Sequence, residues 1–178
     1  MLFLLEDINL KLYGSPFPTA AVITGHATGS GCLFCLCCDY RVMVKNFLIG
    51  LNELRLGITF PNWIINIMSN TIGFREAELA LLAGRLFKTD EALKVGLVDE
   101  DASDRDVALK KANAFFEKLE TTPSLARIHT TSILRNRVLE DMQRNMNIHV
   151  ESALFEMLHP TVQTQIELHL CNLKKKKD

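Results

Sequence analysis

The sequence has 178 residues, 48% of them hydrophobic and 23% charged, which is the composition of a globular protein with enough chain for one substantial core. The 20 lysines and arginines nearly balance the 21 aspartates and glutamates, so the formal net charge is −1. A balanced charge argues against nucleic acid as a partner, because proteins that bind nucleic acid usually carry a basic surplus.

The start of the chain argues against export and membrane insertion. Only four apolar residues, at positions 2–5, precede Glu6 and Asp7, whereas a secretory signal has a longer apolar stretch behind positive charge. No window holds the roughly 20 apolar residues that a transmembrane helix needs. We therefore expect a soluble intracellular protein with no membrane span and no targeting segment.

The first part of the chain predicts a helix, followed by strands and a second helix. Leu5, Ile8 and Leu12 fall at helical spacing in a segment that ends at Gly14. The segment "AAVITG" predicts a short buried strand of the parallel kind, and residues 30–38 predict a short apolar helix. The segments "YRVMV" and "FLIGL" predict two further strands.

Three helices with defined ends follow. The first begins at Pro61, and the second, "FREAELALLAG", ends at Gly84. The third, "TDEALKVG", has Thr89 or Asp90 as its N-cap and stops at Gly96. The segment "LVDE" directly after it predicts a brief strand.

The rest of the chain, from Ser103, has a helical pattern. Its first helix carries four apolar residues on one predicted face: Leu109, Ala112, Phe116 and Leu119. Pro123 interrupts the pattern, and Pro160 opens the last helix. Strands that alternate with helices, followed by helices alone, predict an α/β fold with a parallel sheet and a helical lobe behind it. No strand is predicted before Ala20.

A glycine-rich turn in "VITGHATGSGCLFCLCCDYRVM" joins a predicted strand to a predicted helix. Phosphate binding is its first interpretation. A P-loop needs a lysine after its second glycine, and none follows Gly29. A dinucleotide-binding turn needs a third glycine after Gly29 and Gly31, and Phe34 stands at that position. Neither phosphate pattern is complete.

The run "CLFCLCC" raises metal binding as a second interpretation. A structural zinc site needs paired clusters at separated positions, and outside this run only Cys171 and scattered histidines remain. The five cysteines are odd in number and crowded, which argues against disulfides and favours reduced thiols. A reactive thiol would need a base nearby, and the adjacent sequence offers none. We expect small buried side chains on an apolar helix and no metal site.

Backbone N–H donors are the third interpretation of the turn. Gly29, Ser30 and Gly31 lie where the strand becomes a helix, and the first N–H groups of a helix have no internal partner. They suit an oxyanion that develops on a carbonyl. A polarised carbonyl needs a base beside it, and Glu53 in "IGLNELRLG" has apolar neighbours that would raise its pKa. From the pattern alone, a surface Glu53 paired with Arg55 is the favoured explanation.

Four segments in chain order carry a family resemblance: "AAVITGHATGSGCLFCLCCDYRVM", "IGLNELRLGI", "NTIGFREAELALLAGRLF" and "EALKVGLVDE". They resemble the crotonase (enoyl-CoA hydratase/isomerase) superfamily, and within it the mitochondrial Δ3,Δ2-enoyl-CoA isomerases. The likeness covers most of the chain and is tightest from Ala20 to Asp99. It implies a crotonase-like ββα superhelix over residues 1–102, followed by a helical oligomerisation lobe over residues 103–178.

The resemblance also implies roles for individual residues. The N–H of Ser30, between Gly29 and Gly31, holds the thioester oxygen of an acyl-CoA in such enzymes. Glu53 falls on the catalytic glutamate of the isomerases. Leu33 stands where hydratases carry a second glutamate, so the resemblance does not imply addition of water.

Three aromatic residues near these positions receive weaker roles. By resemblance, Phe60 and Trp63 help to line the acyl pocket. Ordinary core packing at the start of a helix explains both residues equally well. His26 lies beside the turn, where the resemblance implies a structural role.

The implied reaction shifts a double bond in fatty-acid β-oxidation. Glu53 removes a proton from carbon 2 of a 3-enoyl-CoA, the oxyanion hole holds the dienolate, and Glu53 returns the proton to carbon 4. The product is a 2-trans-enoyl-CoA. Acyl-CoA is the substrate and no cofactor is expected. The family further implies the mitochondrial matrix and a homo-oligomer, either a trimer or an association with full-length subunits.

The resemblance begins in the middle of the family pattern. The N-terminal ββα units, and the first oxyanion N–H that they supply, have no counterpart here, so we expect a truncated core. An alternative function follows from this expectation: a catalytically weak or inactive isoform that binds acyl-CoA or associates with other subunits. Hydratase activity is a third possibility, and Leu33 argues against it.

Overall fold

The computed structural model describes residues 2–175, with side chains described for residues 2–172. This part of the chain contains eight α-helices: α1 (Leu2–Tyr13), α2 (Ser30–Cys37), α3 (Asn62–Ile72), α4 (Phe74–Ala83), α5 (Thr89–Val95), α6 (Arg105–Leu119), α7 (Ser124–Leu158) and α8 (Pro160–Lys175). It contains six short strands: β1 (Ala20–Ile23), β2 (Ala27–Thr28), β3 (Tyr40–Val44), β4 (Leu48–Gly50), β5 (Phe87–Lys88) and β6 (Glu100–Ala102). A 3₁₀ turn, Glu53–Leu56, follows β4. The predicted lobe 103–178 extends past the described residues at 176–178.

Two small sheets form the frame of the core. In the first, β1 and β6 lie on either side of β3 and run parallel to it, with Val22 beside Val42 and Val42 beside Glu100. In the second, β2 pairs with β4 in parallel, and β5 pairs antiparallel with β4. The predicted strands β1 and β3 pair in parallel as the sequence predicts, whereas the predicted strand β4 lies in the second sheet. The strands β2 and β5 were not predicted, because two residues are too few to show the period of a strand.

The strand predicted at 97–100 begins only at Glu100, so its predicted position is wrong. Leu97 and Val98 donate their backbone N–H groups to the carbonyl of Ala92 at the end of α5. Their backbone is therefore bonded to the preceding helix, and their side chains are buried in the core.

The predicted N-cap of α5 is also wrong, because Lys88 holds that position instead of Thr89 or Asp90. The Thr89 hydroxyl donates to the carbonyl of Val44 at 3.0 Å, where it joins α5 to the end of β3. The Glu91 carboxylate accepts the N–H of Lys88 at 3.1 Å and caps the first turn instead.

Helix α6 covers the outer side of the first sheet with a different face from the one predicted. Ala108 and Ala112 are buried against Val42 and Ala102, whereas Leu109 is 39% exposed. Two alanines, with side chains of one methyl group, allow the helix backbone to approach the sheet closely. Ala112 was predicted correctly, and Leu109 was not.

The main core lies between the second sheet, the inner face of the first sheet, and helices α1 to α5 and α7. Trp63, Phe87, Met43 and Met142 come from four different elements, and each exposes no more than 1% of its surface. Complete burial of such a side chain contributes about 1.5–3 kcal/mol. The long helix α7 is therefore part of the same core as the sheets.

Arg135 of α7 ties the helical part of the chain to the sheet. Its guanidinium donates to the carbonyl of Tyr13 at 2.8 Å and to the Asp39 carboxylate at 2.6 Å. Asp39 also accepts the backbone N–H of Thr19 at 2.7 Å. One carboxylate thus joins α7 to the segments that precede β1 and β3.

The predicted α/β architecture with a helical lobe behind it is confirmed. The predicted boundary between a core domain at residues 1–102 and a helical lobe at residues 103–178 stays a prediction. Across residues 2–175, no helix combines the length and the apolar character that a bilayer span requires.

Candidate active site

The glycine-rich turn brings the end of β2 to the start of α2. Gly29 has φ +59° and ψ −126°, a backbone conformation that residues with a Cβ rarely adopt. Its N–H donates to the carbonyl of Gly50 at 2.9 Å, which holds the turn against the end of β4. Glycine at position 29 is thus required by the path of the backbone.

Helix α2 directs unpaired backbone donors away from its first turn. Its first helical hydrogen bond runs from the N–H of Leu33 to the carbonyl of Gly29 at 3.1 Å. The N–H groups of Ser30, Gly31 and Cys32 precede that bond, so they have no acceptor within the helix. Ser30 is exposed, and its N–H precedes the first hydrogen bond of the helix.

Glu53 lies directly beside this turn. It is the first residue of the 3₁₀ turn after β4, and its Oε1 would be 3.3 Å from a Cβ added at Gly29. Its Oε2 is buried and has no hydrogen-bond partner among the described residues. Burial raises the pKa of the carboxyl, and the N–H groups of Glu53 and Asn52 oppose part of this effect. Such a carboxylate is a stronger base than one in water.

Arg55 does not hold the Glu53 carboxylate at the surface. The Arg55 Nε donates to the carbonyl of Ala83 at 3.2 Å, and the side chain packs over Gly84 at the end of α4. The two side chains therefore leave the 3₁₀ turn in different directions. The explanation of Glu53 as half of a surface ion pair with Arg55 is not what the structure shows.

The end of α7 and the start of α8 support the segment that carries Glu53. The carbonyl of Glu53 accepts the N–H of Ile58 at 3.2 Å. Next in the chain, Thr59 donates its N–H and its hydroxyl to the Glu156 carboxylate at 2.8 and 2.6 Å. Val162 packs on Gly57, where an added Cβ would lie 3.2 Å away. Nothing in the sequence signalled Glu156 or Val162, because both lie about a hundred residues away from Glu53.

Phe60 and Trp63 occupy different environments. Phe60 borders a cavity of 390 Å³ between the segment before α3 and one side of α7. Trp63 has 1% of its surface exposed and packs within the core. The core-packing explanation therefore accounts for Trp63, and an acyl-pocket role for either residue stays a prediction.

His26 and the cysteines contribute to packing around the turn. The His26 Nδ1 accepts the N–H of Leu48 at 3.0 Å, which links the loop after β1 to β4. Cys32, Cys35 and Cys37 are buried, and burial raises the pKa of the Cys35 and Cys37 thiols to about 12. These two thiols are protonated near neutral pH and are poor nucleophiles.

The comparison with known proteins identifies the family. The sequence profile for enoyl-CoA hydratase/isomerase matches residues 3–174. The chain belongs to the enoyl-CoA hydratase/isomerase family. Over 174 residues it is 37% identical to enoyl-CoA delta isomerase 1, mitochondrial, of Mus musculus and 33% identical to its Homo sapiens counterpart. These matches include 97% of this chain, 60% of the mouse protein and 57% of the human protein.

Solved structures of the family have the same fold. The crystal structure of human mitochondrial delta3-delta2-enoyl-CoA isomerase matches with a TM-score of 0.92 and 31% identity, covering 99% of this chain and 69% of that one. An enoyl-CoA hydratase from Bacillus halodurans matches with a TM-score of 0.81 at 23% identity, covering 94% of this chain and 66% of that one. The predicted crotonase-like fold is confirmed.

Proposed function

We propose that the protein is an enoyl-CoA isomerase that converts a 3-enoyl-CoA into a 2-trans-enoyl-CoA, with Glu53 as its acid and base. The observation that carries the proposal is the Glu53 carboxylate, which lies against Gly29 with its Oε2 buried and without a partner among the described residues. The similarity to mouse and human enoyl-CoA delta isomerases along 97% of the chain supports the same reaction.

In this proposal, the N–H of Ser30 holds the thioester oxygen of the substrate. A hydrogen bond from the positive end of α2 draws electron density from the carbonyl and makes the protons on carbon 2 more acidic. Negative charge on that oxygen grows as the proton leaves, so the donor stabilises the dienolate more than the substrate. A single donor of this kind is worth about 3–4 kcal/mol in the transition state.

Glu53 moves the proton in both steps of the proposed reaction. Its carboxylate takes a proton from carbon 2, and the electron pair of that C–H bond delocalises over the thioester and the double bond. The protonated carboxyl then returns a proton to carbon 4, and a double bond remains between carbons 2 and 3. Burial suits the first step, because the raised pKa makes the carboxylate a better base. The transfer is redox-neutral and calls for no cofactor.

Leu33 favours isomerisation over hydration. It lies on α2 three residues after Ser30, and it is 7% exposed. A leucine cannot activate a water molecule, so the only acid/base group that we assign at this turn is Glu53.

We further propose that Phe60 and Trp63 belong to the acyl-binding region. In this proposal Trp63 is a core residue that supports the region from behind. Since the mouse and human relatives are named as mitochondrial, we propose the mitochondrial matrix as its site of action.

The proposal is tested by following conversion of a 3-enoyl-CoA to the conjugated 2-enoyl product by its ultraviolet absorbance. We expect turnover by the wild-type chain and a loss of at least about a hundredfold in Glu53→Gln, which keeps the shape of the side chain but cannot accept the proton. Glu120→Gln, at an exposed position on the surface, is the matched control and should retain full activity. Equal activity in both variants would refute the role of Glu53.

A second candidate function is association with other subunits, and exposed apolar side chains favour it. Six leucine, isoleucine and phenylalanine residues of α4 and α7 leave at least 70% of their surface exposed: Leu82, Leu125, Ile133, Leu134, Phe155 and Leu158. Several large apolar side chains exposed on one protein are typical of an interface with another protein. We propose that the protein forms a trimer, or pairs with full-length subunits, through the helical lobe at residues 103–178. Sedimentation that finds only a monomer, with no binding to a full-length isomerase, would refute this function.

A further inference from the structure

Three helices enclose a group of polar side chains outside the Glu53 turn. Glu6 lies on α1, Trp63 on α3, and Asp141 and His149 on α7. Each has one buried atom without a hydrogen-bond partner among the described residues: Glu6 Oε2, Trp63 Nε1, Asp141 Oδ2 and His149 Nδ1. Buried polar atoms are nearly always paired in folded proteins, so four unpaired atoms together need a physical explanation.

The distances show that, within the described residues, one oxygen of each carboxylate has no hydrogen-bond donor. The His149 Nδ1 lies 3.6 Å from the Glu6 Oε2, which is too long for a hydrogen bond. The Asn145 amide donates to one Asp141 oxygen at 2.7 Å and leaves the other oxygen unpaired. The side chains of Glu6 and His149 are only 14% and 10% exposed, so water reaches them poorly.

The surroundings drive both members of the Glu6–His149 pair toward their neutral forms. Burial raises the pKa of Glu6 to about 7, and the Asp141 charge adds to that shift while the Trp63 indole opposes it. The Trp63 indole therefore lies close to the carboxylate, although its N–H makes no hydrogen bond within the described residues. Burial lowers the pKa of His149, against the opposing effect of Asp141. The pair lies within ion-pair distance, but burial disfavours the charged form of both partners.

The other charged and titratable groups around α1 have partners elsewhere. Asp7 pairs with Lys11 at 2.7 Å, one turn along α1. From α2, the Cys37 thiol approaches the Asn9 side chain. From α7, Arg135 is bonded to the carbonyl of Tyr13 and to a carboxylate beyond α1. Within residues 2–172, we find no group among these that would neutralise Glu6.

We propose that Glu6, Asp141 and His149 form a proton-binding site that sets how firmly α7 is held against α1. When Glu6 carries the proton, its hydroxyl can donate to the His149 ring nitrogen or to the free Asp141 oxygen, and one of two neighbouring negative charges disappears. When the proton leaves, the negative charge of Glu6 is repelled by that of Asp141 across the contact between α1 and α7. The site is a pH-sensitive latch between the helical part of the chain and its core.

The direction of the pH dependence follows from the two states of Glu6. Its folded pKa of about 7 lies above its ordinary value of 4.5, so the folded chain binds this proton more tightly than the unfolded chain does. The stabilisation is complete below about pH 4.5 and is lost as the pH rises through about 7. The Asp141 and His149 side chains also border the 390 Å³ cavity beside Phe60. Loosening of α7 at high pH would therefore change that cavity.

The chain contains a single tryptophan, Trp63, and its indole lies beside Glu6 of the latch. Its fluorescence therefore reports the charge of Glu6 without a label and without any enzymatic activity. We expect the emission of the full chain to change with a midpoint near pH 7. In Glu6→Gln, a neutral side chain of nearly the same shape, that transition should disappear. Asp7→Asn, one residue along α1 and on its outer side, is the matched control and should keep it.

Asp141→Asn provides an independent test if Glu6→Gln fails to fold. Removing the neighbouring negative charge should shift the midpoint of the fluorescence transition to lower pH. The unfolding free energy of the wild type should fall more steeply between about pH 5 and pH 8 than that of Glu6→Gln, which keeps only the pH dependence of the other groups. The proposal is overturned if the transition is absent in the wild type, survives in Glu6→Gln, or keeps its midpoint in Asp141→Asn. If His149→Gln loses the transition while Glu6→Gln keeps it, the proposal is equally overturned, because His149 would then be the titrating group.

Discussion

Gly29→Ala tests how closely the glycine-rich turn and Glu53 fit together. The residue has φ +59° and ψ −126°, which alanine adopts only under strain. An added Cβ would also lie 3.3 Å from the Glu53 Oε1, closer than most Cβ contacts in proteins. One methyl group therefore strains the backbone of the turn and presses on the carboxylate at the same time.

The two effects have different magnitudes. Backbone strain at a glycine-specific position costs about 1–3 kcal/mol, and in a chain of this size about 1 kcal/mol lowers Tm by 2–4 °C. The contact requires the carboxylate to move by a few tenths of an ångström. Since a misplacement of about 1 Å can cost a hundredfold in rate, we expect kcat to fall by about tenfold.

Thermal unfolding and the 3-enoyl-CoA assay measure the two effects separately, and neighbouring glycines supply the controls. A Cβ on Gly25 would meet nothing within 4 Å, and Gly25 is not among the glycines with positive φ, so Gly25→Ala should match the wild type. A Cβ on Gly31 would make an ordinary contact at 3.9 Å, so Gly31→Ala should be neutral or stabilising. Gly29→Ala that is as stable and active as Gly25→Ala would refute the geometry.

Three further predictions follow from single groups. Glu156→Ala removes both hydrogen bonds to Thr59 and should lower the unfolding free energy in urea by about 1–2 kcal/mol, whereas an unchanged midpoint would show that they contribute nothing. The exposed Cys171 should be the thiol that reacts fastest with a disulfide reagent, and Cys171→Ser should abolish the fast phase, because the cysteines of α2 are buried. A fast phase that survives would place a reactive thiol elsewhere. Glu53 must be ionised to act as a base, so kcat/KM should fall as the pH drops through its raised pKa. An acid limb at the ordinary glutamate pKa of 4.5 would contradict its burial.

Glycine and proline made much of the fold predictable from the sequence. Helix α3 lies between Pro61 and Gly73, and α4 ends at Gly84, which takes the left-handed conformation that few other residues adopt. Elements of two residues, such as β5, carry no periodic signal and were missed. The face of α6 was misjudged at Leu109, because close packing on the sheet selected small side chains over large ones.

The candidate site was predictable only in part. A carboxylate among apolar neighbours and a glycine-rich turn before a helix are local patterns that made Glu53 and Ser30 candidates. From the pattern alone a surface ion pair with Arg55 was favoured for Glu53, and the family resemblance favoured the catalytic role. Their proximity depends on Gly50 and the 3₁₀ turn, which a local pattern does not reveal. The Glu6 cluster had no signal at all, because helices at opposite ends of the chain assemble it.

The transfer of a single proton by Glu53 is the central claim, and a substrate deuterated at carbon 2 tests it most directly. We predict that the 2-trans-enoyl-CoA product carries part of that deuterium at carbon 4, because one half-buried carboxyl takes the label and returns it before full exchange with water. The same experiment with Glu53→Gln should give no product above background. Product without deuterium at carbon 4, or turnover that survives Glu53→Gln, would contradict the account.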